Sequence, residues 1–144
     1  GVETLLSLPS LKAFRLDQGT GSDSQILMDT EALEGNAGLE ELGIINCVIK
    51  DLGTEEEGDF GFVSRFGGLK RLYLDECGLT DISFVEELGD LRACSLMDND
   101  IRDLSPLLAC RKLEAVSVDR EAAVGVEFPG DVMVNTEIFE KIYE

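Results

Sequence analysis

Leu91-Arg92-Ala93-Cys94-Ser95-Leu96-Met97-Asp98-Asn99-Asp100-Ile101-Arg102-Asp103-Leu104-Ser105-Pro106-Leu107 is the stretch whose reading decides the fold. Counted from Leu91, apolar residues stand at positions 1, 4, 6 and 11, and Asn99 stands at position 9. The pattern opens 22 residues earlier at Leu69, with Leu72, Leu74, Cys77 and Leu79, and 22 residues later at Leu113, with Val116 and Val118. Upstream, Leu39 opens it again with Leu42, Ile44, Cys47 and Ile49, and Leu11 opens it with Phe14 and Leu16. A short unit cannot bury its apolar face alone, whereas stacked copies bury a continuous core. The fixed period therefore predicts a solenoid.

Repeat starts near 11, 39, 69, 91 and 113 give spacings of 28, 30, 22 and 22. The two early coils thus carry insertions, which the runs Gly19-Thr20-Gly21-Ser22-Asp23-Ser24 and Gly53-Thr54-Glu55-Glu56-Glu57-Gly58 mark as surface loops. Each apolar-x-apolar segment (Leu42 to Ile44, Leu72 to Leu74, Cys94 to Leu96, Val116 to Val118) predicts a short strand with alternate side chains inward. One strand per unit in a constant direction makes a parallel sheet. The return segments 59–66, 81–88 and 103–110 predict a turn or two of 3₁₀ or α-helix, with Ser83 and Ser105 as expected N-caps and Pro106 suited to the first helical position. An inward Asn99 can donate to and accept from the backbone of adjacent coils; cysteine, at 47 and 77, offers only a weak donor there.

The stretch from Leu91 to Leu107, with its Asn-x-Ile-x-Asp-Leu-Ser-Pro-Leu run, resembles the bacterial leucine-rich repeat family, in particular the 22-residue repeats of the internalins. The resemblance covers residues 5–120. It implies an α/β fold, a right-handed leucine-rich repeat solenoid, with a concave parallel β-sheet and short 3₁₀ or α return segments on the convex side. It also implies use in protein recognition. A single leucine-rich repeat domain over 1–144 is expected, with 124–144 as a C-terminal cap over the exposed core. Within that cap, 132–134 would give a last strand, and Thr136 to Tyr143 a helix with Ile138, Phe139 and Ile142 on one face. No N-terminal cap is evident before Leu5, and Gly1 precedes Val2 with no initiating Met, so a processed or truncated start is expected.

Composition excludes several functions. Twelve Lys and Arg against 30 Asp and Glu give a net charge of −18. Such a surface repels phosphate backbones and anionic bilayers, so no nucleic acid and no membrane insertion are expected. A basic protein would be attracted. Histidine is absent, which removes the commonest general base and a common metal ligand. The four cysteines all fall on inward positions and predict free thiols rather than a disulfide framework; Cys47 and Cys77 would stack within bonding reach on adjacent coils. No metal and no cofactor are expected: Asp98-Asn99-Asp100 lacks the later Glu of a calcium loop, and the Gly-rich stretches lack the Lys and helix of a phosphate cradle.

If positions 1, 4, 6, 9 and 11 point inward, positions 2, 3, 5, 7 and 8 face the concave side. Position 5 then runs Arg15, Gly43, Tyr73, Ser95, Ser117, and position 7 runs Asp17, Ile45, Asp75, Met97, Asp119. Tyr73 with Ile45 and Met97 would form an apolar anchor, with Arg15, Asp75 and Asp119 around it as charged contacts. On this reading Tyr73→Ala leaves folding intact and weakens partner binding.

The function expected is a non-enzymatic protein–protein interaction scaffold of the leucine-rich repeat type, with no catalytic residues. Two alternatives stay open: an acidic cytoplasmic inhibitor or immunity protein covering a basic toxin, and an extracellular surface recognition module. Interior free thiols lean toward the cytoplasm, and a removed leader would allow secretion.

Overall fold

The computed structural model describes residues 2–18, 25–55 and 57–136. Its centre is a six-stranded parallel sheet formed by β1 (Ala13–Asp17), β3 (Glu41–Ile45), β5 (Arg71–Tyr73), β6 (Ala93–Ser95), β7 (Ala115–Ser117) and β8 (Met133–Asn135) in that order. The register is constant. Ala13, Glu41, Arg71, Ala93, Ala115 and Met133 lie side by side, each at position 3 of its unit. The last strand begins one residue later than the sequence pattern suggested.

Side chains alternate across each strand, so constant register stacks every position-4 residue on its neighbour. Leu42, Leu72, Cys94 and Val116 form that column and are wholly buried. Leu39, Leu69 and Leu91, with Ile44 and Leu74, complete a continuous aliphatic core. In the first coil Leu11, Phe14 and Leu16 are only half-buried, because β1 has a neighbour on one side alone.

The chain returns through 3₁₀ turns at Thr30–Ala32, Gly61–Arg65, Ser83–Glu87 and Ser105–Ala109. Their apolar pairs, Phe62 with Val63, Phe84 with Val85 and Pro106 with Leu107, close the convex side of the core. The capping differs from expectation. Ser83 and Ser105 are the first turn residues rather than caps; the carboxylates two residues earlier accept their N–H groups, Asp81 at 3.1 Å and Asp103 at 2.9 Å. Asp59 does the same for Gly61 at 2.8 Å, and Asp29 for Glu31 at 3.1 Å. A carboxylate is the stronger acceptor and already lies beside these otherwise unpaired donors.

Three elements had no sequence signal. A small parallel sheet pairs β2 (Gln25–Met28) with β4 (Val48–Asp51) beside the early insertions. Helix α1 (Val2–Leu6) packs against β2 and the Thr30–Ala32 turn with Leu6 fully buried, where no N-terminal cap was legible. Helix α2 (Arg120–Ala123) follows β7. The second insertion is a turn folded back on β4: Glu55 donates to the Asp51 carbonyl at 2.7 Å and Gly58 to that of Ile49 at 2.8 Å. Residues 19–24 of the first insertion, and the helix expected up to Tyr143, lie outside the described residues.

Candidate functional site

The concave sheet is the natural place to seek contacts, and its columns differ sharply in access. Arg15 is exposed and Asp119 half-buried. The other four expected contacts do not stand open: Ile45 is 6%, Tyr73 4%, Asp75 0% and Met97 3% exposed. The reason lies in neighbour size. Strands about 4.8 Å apart bring same-column side chains into contact, and a large residue beside a small one lies down along the sheet. A Cβ on Gly43 would meet Arg15 Cγ at 3.2 Å and Tyr73 Cδ2 at 3.6 Å, so both side chains lean over the bare glycine. Burial, with Glu41 nearby, pushes the Tyr73 phenol pKa up. Tyr73→Ala therefore opens a packing defect, and the expectation that it leaves folding intact is withdrawn.

Asp75 serves the backbone. Its Oδ1 accepts the Ser95 hydroxyl at 2.7 Å and the Met97 N–H at 2.8 Å. Two coils on, Asp119 reaches back and accepts from Asp98 N at 2.9 Å and Asn99 N at 3.3 Å. These carboxylates satisfy donors at the corner where the chain leaves the sheet. The corner itself is left-handed in three successive coils, with φ of 56° at Asn46, 54° at Glu76 and 59° at Asp98.

Access falls instead to positions 2 and 3. Lys12, Arg92 and Glu114 are exposed, and Glu40, Glu41, Lys70 and Arg71 are half-buried. They interlock across coils: Lys70 Nζ meets Glu40 Oε1 at 2.9 Å, and Arg71 Nε meets Glu41 Oε1 at 2.8 Å. The Lys70 hydrogen bond, then its charge, holds the Glu40 carboxyl below its usual range. The sequence placed these residues on this face; what it hid was that columns 5 and 7 are sealed from the second coil to the fourth. The signal was present in Gly43, Ser95 and Ser117, whose smallness lets their neighbours fold over.

The inward position behaves as expected. Asn99 Oδ1 accepts from Cys77 N and Leu79 N, both at 3.0 Å, while Nδ2 donates to Leu74 O at 2.8 Å and Leu96 O at 3.1 Å. All four thiols are free and buried. Cys77 Sγ donates to Ile44 O at 2.9 Å, and burial pushes its pKa up to about 12. Among the described residues, no group of three or more His, Cys, Asp or Glu is placed to hold a metal ion, and no helix is long and apolar enough to cross a membrane.

Neither a family profile nor a curated sequence matches the chain. Among solved structures, it is similar to internalin C2 from Listeria monocytogenes, with 23% identity over 82% of this chain and 56% of that one, and a TM-score of 0.57. An internalin (inlF) from the same organism aligns at 26% identity over 64% of this chain and 32% of that one, with a TM-score of 0.49. The likeness to internalin C2 identifies the fold as an internalin-like leucine-rich repeat solenoid. The chain spans a third to a little over half the length of these two proteins.

Proposed function

We propose that this chain is a non-enzymatic protein-recognition module that binds a partner across its concave sheet, with residues 124–144 closing its C-terminal end. One observation carries the reading. Six parallel strands in constant register hold a band of accessible charged side chains (Lys12, Arg15, Glu40, Arg71, Arg92, Glu114) over a fully packed core. Such a rigid frame loses little entropy on binding. Arg15 and Asp119 remain in the contact set; Ile45, Tyr73, Asp75 and Met97 act by shaping the floor beneath it. The internalin-like fold supports the reading, since repeat solenoids offer extended concave binding surfaces.

A basic partner is the second reading, favoured by the net charge of −18. The first is tested by presenting the immobilised chain and an Arg92→Glu/Glu114→Lys variant to a lysate of the source organism. A protein retained by the parent and lost from the variant, at unchanged melting temperature, is the expected result. Equal retention by both would remove the concave sheet as the contact surface.

A further inference from the structure

Two of the four thiols stand in one column on adjacent coils. In the β3–β5 pairing Gly43 lies beside Tyr73, and the same four-residue step leads from each to a cysteine, Cys47 and Cys77. The residue before each cysteine turns the same left-handed corner, with φ of 56° at Asn46 and 54° at Glu76. The register of the strands is therefore carried past the corner. Each sulfur adopts the same pose, donating to the carbonyl two residues back: Cys47 Sγ to Ile45 O and Cys77 Sγ to Asp75 O, both at 3.3 Å. Cys77 Sγ also reaches across to the second coil, where it meets Ile44 O at 2.9 Å and the Cys47 N–H is turned toward it.

One sulfur thus already packs on the backbone of the other cysteine. Parallel strands stand about 4.8 Å apart, inside the roughly 4.4–6.8 Å between α-carbons that a disulfide spans. Turning the Cys47 side chain toward the third coil gives up only a weak thiol hydrogen bond. The pairing is also exclusive. On its other side Cys77 has Asn99, whose Oδ1 accepts the Cys77 N–H at 3.0 Å. Cys94 stands at position 4 of β6, while Cys110 ends the Ser105–Ala109 turn and donates to Val85 O at 3.3 Å, so neither belongs to this column.

We propose that Cys47 and Cys77 form a redox modification site, closing to a disulfide that ties the second coil to the third when the protein meets a small-molecule disulfide. The step is thiol–disulfide exchange. The Cys47 thiolate attacks one sulfur of the oxidant, forming a mixed disulfide and releasing one thiol. Cys77, losing its proton, then attacks the Cys47 sulfur and expels the second thiol. The protein loses two S–H hydrogens and gains one S–S bond; the oxidant takes up two electrons and two protons. Both thiols are buried, so exchange waits on local opening. Cys47 reacts first, because its coil borders the first coil, whose Leu11, Phe14 and Leu16 are only half-buried. The bond closes a loop that holds β4 and the second insertion, and it fastens together the two coils that carry the Glu41–Arg71 ion pair.

The test incubates the folded chain with oxidised glutathione at mildly alkaline pH, then quenches with acid, denatures and alkylates. Each cysteine falls on its own tryptic peptide, 16–50, 72–92, 93–102 and 103–111, so mass spectrometry reports which are joined. The expected product is a chain two hydrogens lighter, with peptides 16–50 and 72–92 linked until a reductant is added and with Cys94 and Cys110 alkylated. In urea the same treatment is expected to scatter the pairings; a link between Cys47 and Cys77 no more frequent in the folded chain than there would deny the fold any part in it. Four alkylated thiols after prolonged incubation would overturn the site, as would linkage of Cys94 or Cys110 at the same rate. A lasting glutathione adduct on Cys47 beside an alkylated Cys77 would also overturn it, since the second sulfur would then be out of reach.

Discussion

Asn99 does more for the backbone than any other single side chain described here. It sits where the chain turns out of the sheet, and its amide joins the third coil to the fourth by accepting from Cys77 and Leu79 and donating to Leu74. Truncation to alanine leaves these buried groups unpaired, each costing about 1 kcal/mol or more. Asn99→Ala is therefore expected to lower unfolding free energy by roughly 3 kcal/mol in urea titrations; a loss below about 1 kcal/mol would show that water replaces the amide. The four buried cysteines predict a pH effect. Burial raises the thiol pKa at Cys47, Cys77, Cys94 and Cys110, to about 12 at Cys77 and about 11 at Cys110. In the unfolded chain a thiol ionises near pH 8.5. The folded state thus holds more protons than the unfolded one above that pH, and stability declines as pH rises from about 8.5 toward 11. The raised pKa of Tyr73 acts in the same direction near its own range. Denaturant midpoints that stay constant from about pH 8 to 10.5 would refute the linkage.

At the scale of elements, the turn before each strand shows how closely successive coils approach. A Cβ on Gly68 would lie 2.1 Å from the Ala37 carbonyl oxygen, a backbone atom that cannot swing aside, whereas nothing stands within 4 Å of a Cβ on Gly67. Gly68→Ala is expected to cost about 1–3 kcal/mol, and Gly67→Ala almost nothing, in parallel thermal melts. Equal effects would mean that the loop before β5 relaxes freely. Nothing in the sequence separates the two glycines, because the obstacle comes from residue 37. The strands were legible for the opposite reason: Leu42, Leu72, Cys94 and Val116 satisfy a local rule repeated in every coil, and constant register follows from it. The β2–β4 sheet was not legible, since its pairing depends on how two unequal insertions leave the first and second coils aligned. Asn36 escaped notice likewise. Its amide donates to Leu8 O and Leu11 O, both at 2.9 Å, pinning the entry of the first coil to the loop before the second. The concave site was half legible, because period tells which way a side chain points but not whether its neighbour covers it.

Across the whole molecule, stability is built from contacts between adjacent coils, so the cost of a core deletion depends on where along the stack it falls. Leu72 lies between Leu42 and Cys94, is wholly buried, and has coils on both sides into which no atom can move without opening another gap. Leu16 occupies the next inward position in the first coil, yet it is only half-buried because β1 is the sheet edge. Leu72→Ala combines lost transfer energy with a trapped cavity and is expected to destabilise by about 2–5 kcal/mol. Leu16→Ala gives up less apolar area, opens no enclosed void, and is expected to cost about 1 kcal/mol. Hydrogen exchange would resolve the same gradient amide by amide, with β5 and β6 slowest and β1 faster. Equal costs for the two substitutions, together with uniform exchange, would mean that the chain unfolds as one globular unit. The ordered gradient would instead place the most rigid part of the frame beneath Arg71 and Arg92, where the concave contacts of the proposed interface need it.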